Sequence, residues 1–341
     1  MAAITSSLGL RPQCVGKESH YNFVVEEIGG LIRVHKDGSV ERPQIVPCVS
    51  SDLGPELNVT SRDMVIDNFT NTWARFYVPN FHEKLPLLVY FHGGGFCVGS
   101  AAWSCYHKFL AKLSAKVGCL IMSVNYRLAP ENPLPAAYED GLQALMWVKE
   151  QVLYQCEASE WWVSKCNFSS VFLAGDSAGA NIAFSVATRL AAFDAAALKP
   201  LNLKGMILIQ PFFGGEARTV SEKCMVQSPR SALNLAASDT YWRLALPPGA
   251  NRDHPWCNPL AKGSVELQRL KLFPALVCIS ELDILKDRNL EFCVALARGG
   301  KKVEQVVCKG VGHAFQILSK SQVSQSRTQE MMAYIKAFMG Q

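Results

Sequence analysis

The sequence predicts an α/β fold, a mostly parallel mixed β-sheet flanked by helices, and three observations predict it. Short apolar runs recur from residue 85 onward: "LPLLVYF" (Leu85 to Phe91), "CLIMSV" (Cys119 to Val124), "SVFLAG" (Ser170 to Gly175), "GMILIQ" (Gly205 to Gln210) and "ALVCIS" (Ala275 to Ser280), with "VEQVVC" (Val303 to Cys308) as a sixth strand. Strands buried on both faces lose the alternation of polar and apolar residues. Helix-length segments separate them: "YHKFLAKLSAKV", "AAYEDGLQALMWVKEQVL" and "RNLEFCVALARGG". Strand and helix in alternation imply right-handed crossovers between parallel neighbours. The start differs. "LIRVHKDGSVERP" reads as a hairpin turning at Asp37-Gly38, and "DMVIDNFTNTWARFYVP" as two more strands. An antiparallel start joined to a parallel remainder makes the sheet mixed.

Bulk properties bound the rest. A chain of 341 residues can bury one large core, and residues 1–341 are expected to form one domain. The net charge of +5 is small, and no Lys/Arg run is interleaved with aromatics. Nucleic-acid binding is therefore not expected. No apolar stretch is long enough to cross a membrane. The twelve cysteines lie scattered, several inside apolar runs as at Cys119 and Cys278. The first twenty residues lack the apolar core of a secretion signal. Free thiols in a reducing, cytoplasmic compartment are the expectation.

One segment breaks the rhythm. From Phe212 to about Leu270 no buried-strand signal appears, but Pro, Gly and aromatic residues are frequent. An insertion of this length at strand ends is where α/β proteins build lids. Its aromatics Phe212, Phe213, Tyr241 and Trp242, with Phe96, either line a pocket or pack the lid's own core.

Chemistry concentrates at a corner. Gly175-Asp176-Ser177-Ala178-Gly179 fits G-x-S-x-G, with a buried strand before it and a helix-like run after it. A chain that turns directly from strand to helix crowds its backbone, hence the glycines. The serine is held in a strained conformation with its hydroxyl projecting as a nucleophile. An alcohol needs a base, and only His254 and His313 follow Ser177. His254 lies in the insertion. His313, in "CKGVGHAF", follows the last strand, where a base can reach the serine. The acid belongs just past a strand end, in "SELDILKDRN". Asp287 reads as the first turn of a helix, Glu281 sits close to the strand, and Asp283 lies on the loop between. Asp283 is the expected acid, with Glu281 the alternative.

A second glycine cluster, "VYFHGGGFCVGS", follows another buried strand. Glycines His92-flanked in this way let backbone N–H groups approach a ligand, as in an oxyanion hole. The expected element comprises His92, Gly93, Gly94, Gly95 and Ala178. His92 is expected to support the loop, with donors from Gly93, Gly94 and Ala178. The glycines do not form G-x-G-x-x-G and no G-K-[ST] follows, so no nucleotide is implied. C-x-x-C and H-E-x-x-H are both absent, so no metal or other cofactor is expected.

With HGGGFCVGS, YRLAPE (Tyr126 to Glu131), GDSAGAN, SELDILKDRN and GVGHAF together, the chain resembles the plant carboxylesterases of the hormone-sensitive-lipase group, most of all the subgroup named carboxylesterase 17. The resemblance runs from about Val24 to the C-terminus. It implies an α/β-hydrolase fold capped by the N-terminal segment, approximately 1–30, and the insertion, 212–270. It also implies hydrolysis of small to medium acyl esters by Ser177, His313 and Asp283. One departure is Asn132-Pro133-Leu134-Pro135, where the family usually has H-x-L-P. The family also contains a hormone receptor, similar to these esterases but without the histidine. The presence of His313 favours the enzyme.

Overall fold

A computed structural model describes residues 23–192, 198–227, 231–264 and 267–341. The part of the expected cap that falls on residues 1–22 lies outside the described residues. The chain opens with β1 (Val24–Ile28), β2 (Ile32–His35) and β3 (Val40–Glu41). The Asp37-Gly38 hairpin forms as expected: Asp37 Oδ1 accepts the Ser39 N–H at 2.9 Å and Gly38 takes φ +85°. These three strands make a separate antiparallel sheet and do not join the large one. That corrects the expectation that the hairpin begins the main sheet.

The large sheet contains β4 (Val59–Asp67), β5 (Thr72–Pro79), β6 (Leu85–Phe91), β7 (Leu120–Asn125), β8 (Cys166–Asp176), β9 (Leu203–Ile209), β10 (Ala275–Ser280) and β11 (Val303–Cys308). Their spatial order is β11-β10-β9-β8-β6-β7-β5-β4. β5 runs antiparallel to both neighbours, and β6 through β11 are mutually parallel. The sheet is mixed and mostly parallel, as expected. Residues 87–91 and all of β10 are buried, which is why these strands read as unbroken apolar runs.

Helices cover both faces. They are α1 (Ser104–Val117), α2 (Ala136–Tyr154), α3 (Glu160–Val163), α4 (Ala178–Ala192), α5 (Val220–Cys224), α6 (Leu235–Ala245), α7 (Lys286–Arg298), α8 (Phe315–Leu318) and α9 (Gln322–Met339). One core, with Leu173, Ile182 and Val186, lies between the sheet and α2, α4 and α7; the other, with Tyr90, Leu110 and Met331, lies under α1 and α9. The insertion between β9 and β10 holds α5 and α6 and no strand among its described residues. It is fastened by ionic contacts. Arg288 of α7 grips Glu222, whose side chain is almost fully buried. Arg252 bonds Asp239 and Glu216, and Arg243 makes a bidentate pair with Glu26 of β1 at 2.9 Å.

Candidate active site

Ser177 sits between the end of β8 and the start of α4, with φ +52°. The neighbouring glycines explain themselves by space. A Cβ on Gly179 would stand 1.9 Å from the Phe91 carbonyl oxygen, and one on Gly175 2.3 Å from the Gly179 backbone. No side chain fits either position, so the corner can be this tight only with both glycines. The Ser177 N–H donates to the Ile209 oxygen of β9 at 2.8 Å, which ties the corner to the next strand.

The two late loops converge on this corner. His313 Nε2 lies 2.9 Å from Ser177 Oγ, and its Nδ1 lies 2.6 Å from Asp283 Oδ2. Asp283 Oδ1 accepts the Leu285 N–H at 3.0 Å. All three side chains are buried, with Ser177 6%, Asp283 1% and His313 9% exposed. With the imidazole proton on Nδ1, Nε2 is left to accept the serine hydroxyl. Burial pulls the His313 pKa down, but the Asp283 carboxylate and its hydrogen bond outweigh it, Asp176 adds to them, and the net shift is upward.

The other candidates stand apart. Glu281 is directed at the Gly310 N–H, 2.8 Å away. Asp287 lies in the first turn of α7 and accepts from the Ser221 N–H at 2.6 Å. His254 packs its ring on Trp256 in the insertion.

At the end of β6 the expected donors are rearranged. The Gly93 N–H is consumed, bonded to the Tyr106 hydroxyl at 2.8 Å and to Asp176 Oδ1 at 3.1 Å. It is therefore not a donor to the cavity, a correction to the expected element. The N–H groups of Gly94, Gly95 and Ala178 carry no hydrogen bond among the described residues, and Gly94 and Gly95 line the cavity in front of Ser177. Gly95, expected only as part of the element, lines the cavity where Gly93 does not. His92 is fully buried and stacked on Tyr126, with ring centroids 4.3 Å apart. Burial pushes its pKa down to about 4. The neutral ring donates Nδ1–H to the Gly93 oxygen at 2.8 Å, a supporting place as expected, away from the cavity.

The cavity holds about 210 Å³ and is lined by Ser177, His313, Gly94, Gly95, Tyr106 and Asp176 on its polar side. Its apolar wall comes from Leu31, Ile45, Val46, Trp103, Tyr241 and Ile317, among others. Of the five expected pocket aromatics, only Tyr241 lines it. Phe212 stacks on Trp242 at 4.6 Å, Phe96 packs against the same indole at 5.4 Å, and Phe213 packs on Phe292 at 4.8 Å. Phe96, Phe212 and Trp242 are buried against one another and Phe213 against Phe184 and Phe292, so for these four the packing alternative holds and the pocket expectation is corrected. A Cβ on Gly95 would lie 2.3 Å from the Tyr241 ring, so the third glycine also makes room for this tyrosine.

Two supports escaped the sequence reading. Gln210, buried just past β9 with φ +48°, accepts the Ala314 N–H at 2.7 Å and donates to Ser280 Oγ at 2.6 Å. It thereby holds the loop that presents His313. A polar residue closing an otherwise apolar strand run was the available signal. Asn181, two residues past Gly179 in GDSAGAN, donates to the carbonyls of Phe212 and Trp256 at 3.0 and 2.9 Å, stitching α4 to the insertion.

Comparison with known proteins places the fold. Residues 88–317 match a family described as having the alpha/beta hydrolase fold. The chain is 52% identical to a probable carboxylesterase 6 of Arabidopsis thaliana, over 93% of this chain and 91% of that protein. The chain belongs to the α/β-hydrolase family of the plant carboxylesterases. Within that family it is also 37% identical to a 2-hydroxyisoflavanone dehydratase of Glycyrrhiza echinata, over 85% of this chain and 89% of that one. Among solved structures this family member resembles EstE1, a thermostable carboxylesterase cloned from a metagenomic library. The TM-score is 0.68 at 26% identity, over 86% and 90% of the two chains.

Proposed function

We propose that this family member hydrolyses carboxylic esters of small to medium acyl groups, with Ser177 as nucleophile, His313 as general base and Asp283 as the acid that orients it. The observation that carries the reading is the continuous chain Asp283–His313–Ser177, at 2.6 and 2.9 Å, opening into one cavity beside unbonded N–H groups. His313 Nε2 takes the Ser177 proton as Oγ attacks the ester carbonyl. The tetrahedral oxyanion accepts hydrogen bonds from Gly94, Gly95 and Ala178 N–H, with the positive end of α4 adding to them. The imidazolium, stabilised by Asp283, protonates the leaving alcohol. Water then releases the acid by the same steps. Every step uses groups of this chain, a small-molecule ester and water, and none calls for a cofactor. The insertion and the N-terminal segment, the latter reaching beyond residue 30 to Val46, act as the cap of a single domain, since Leu31, Ile45 and Tyr241 line the same cavity as Ser177. Free thiols at every described cysteine agree with a reducing, cytoplasmic setting.

Burst kinetics with p-nitrophenyl acetate and butyrate test this. The full chain is expected to release one equivalent of p-nitrophenol in a fast phase, and Ser177→Ala to lose both burst and turnover by about 10⁴-fold or more. A folded wild-type chain with no turnover would discard the enzyme reading in favour of a receptor of the same fold.

A further inference from the structure

Asp176 stands between Gly175 and Ser177 and has no part in the steps above. Its carboxylate is 1% exposed. Oδ1 accepts the Tyr90 hydroxyl at 2.8 Å and the Gly93 N–H at 3.1 Å, and Oδ2 accepts the Tyr106 hydroxyl at 3.0 Å. None of these partners is a cation. A buried carboxylate held only by neutral donors is costly, and burial pushes its pKa up to about 6 against the hydrogen bonds from Tyr90 and Tyr106. An apolar or amide side chain would avoid that cost.

The glycine loop is fastened at several points. Tyr126 donates its hydroxyl to the His92 oxygen at 2.8 Å, and Cys97 and Val98 donate their N–H groups to the Gly94 oxygen at 3.0 Å. The fastening at Gly93 differs from these because it ends on the residue covalently joined to Ser177. Its fit is close: a Cβ on Gly93 would stand 2.6 Å from Asp176 Oδ2. We propose that Asp176 is a positioning residue, which draws the Gly93 N–H out of the cavity and so sets how far the Gly94 and Gly95 N–H groups stand from Ser177 Oγ. This rests on Ser177 being the nucleophile.

The charge of Asp176 adds a second, separable effect. The titratable groups facing it are Tyr90 on β6, Cys105 and Tyr106 on α1, Tyr126 after β7 and His313 after β11. Among these only His313 gains positive charge on protonation, and Asp176 raises its pKa. Removing the charge at 176 therefore keeps the base neutral to lower pH.

The test is Asp176→Asn in the full chain. The neutral amide oxygen accepts from Gly93 and Tyr90 more weakly than the carboxylate does, and the amide nitrogen cannot accept the Tyr106 hydroxyl, so both acceptors that hold the Gly93 N–H are loosened. Expected are a kcat about 10- to 100-fold lower, less than the loss of a whole oxyanion donor, and a KM within about twofold, because these contacts strengthen only in the transition state. The acid limb of kcat/KM moves to lower pH. A merely structural role would shrink the burst amplitude and leave the limb in place, and that result overturns the proposal. So does unchanged kcat. If the variant fails to fold, Tyr106→Phe removes one acceptor of the Gly93 N–H and one donor to Asp176; kcat should fall about 3- to 10-fold at constant KM, and unchanged kcat again overturns it. Ser177→Ala measured alongside separates the two ideas, since turnover surviving that substitution would sink the functional reading instead.

Discussion

Ser177, the glycine loop, Asp283 and His313 all stand just past the C-terminal ends of parallel neighbours β8, β6, β10 and β11. The opposite wall is made otherwise. Leu31, Ile45 and Val46 come from the N-terminal segment, Tyr241 from α6, and Ile317 and Leu318 from α8. The floor rests on ladder hydrogen bonds whose register pairs Phe91 with Gly175 and Ser280 with Cys308, with buried side chains such as Gln210 and Tyr126 fixing the loops that leave those strands. The cover is positioned by side chains, such as Arg42, which bonds the Cys97 and Ala129 carbonyls and the Glu131 carboxylate, and Arg243 on Glu26. On the proposed function, the difference teaches that the reacting groups stand on the sheet while the facing wall is held by ion pairs between outer segments, so the two can change separately.

Substitutions in the two regions break or sharpen that contrast. On the floor, Asp283→Asn leaves the imidazole with the wrong tautomer and should lower kcat by about 10⁴-fold with little change in thermal stability, whereas Glu281→Gln should be nearly silent. Comparable losses from both would dissolve the assignment of the acid. A smaller floor effect comes from pH. The folded His313 pKa is raised above 6.5, and the base works only when neutral. So kcat/KM should be full well above that raised value and fall about tenfold per pH unit below it. A profile flat from pH 5 to 8 would remove His313 from its role. On the cover, Ile45→Phe narrows the cavity without touching the floor. The ratio of butyrate to acetate turnover should drop about 3- to 30-fold while acetate kcat stays within about twofold. Loss of acetate turnover as well would mean that cover and floor are one unit.

What was legible in the sequence divides along the same line. The buried strands announced themselves as apolar runs, with β6 and β10 matching the expected spans residue for residue, as does the edge strand β11, most of which is exposed or half-buried. Ser177, His313 and Asp283, each within hydrogen-bonding distance of the next, could be singled out because strand ends have sequence signatures. The finer donor set was not legible, because whether Gly93 or Gly95 offers its N–H depends on Asp176 and Tyr106, which arrive from other elements. Phe212, Phe213 and Trp242 belong to a segment with no period, and which ring faces a ligand is decided by tertiary packing. The helix α9 was not singled out: its first half, "QVSQSRTQE", is almost wholly polar. The family was legible from its motifs, and among its members a probable carboxylesterase 6 is 52% identical to this chain.

The partners of the buried serine are far apart in the chain. His313 lies 136 positions beyond Ser177 and 30 beyond Asp283. During synthesis the hydroxyl and its glycine loop therefore leave the ribosome long before any base exists to activate them. A chain terminated early, or cleaved between β10 and β11, carries a complete nucleophilic corner with nothing to remove its proton. On the proposed roles of these residues, reactivity toward esters is postponed until translation has passed β11, and a fragment released before that point is chemically idle.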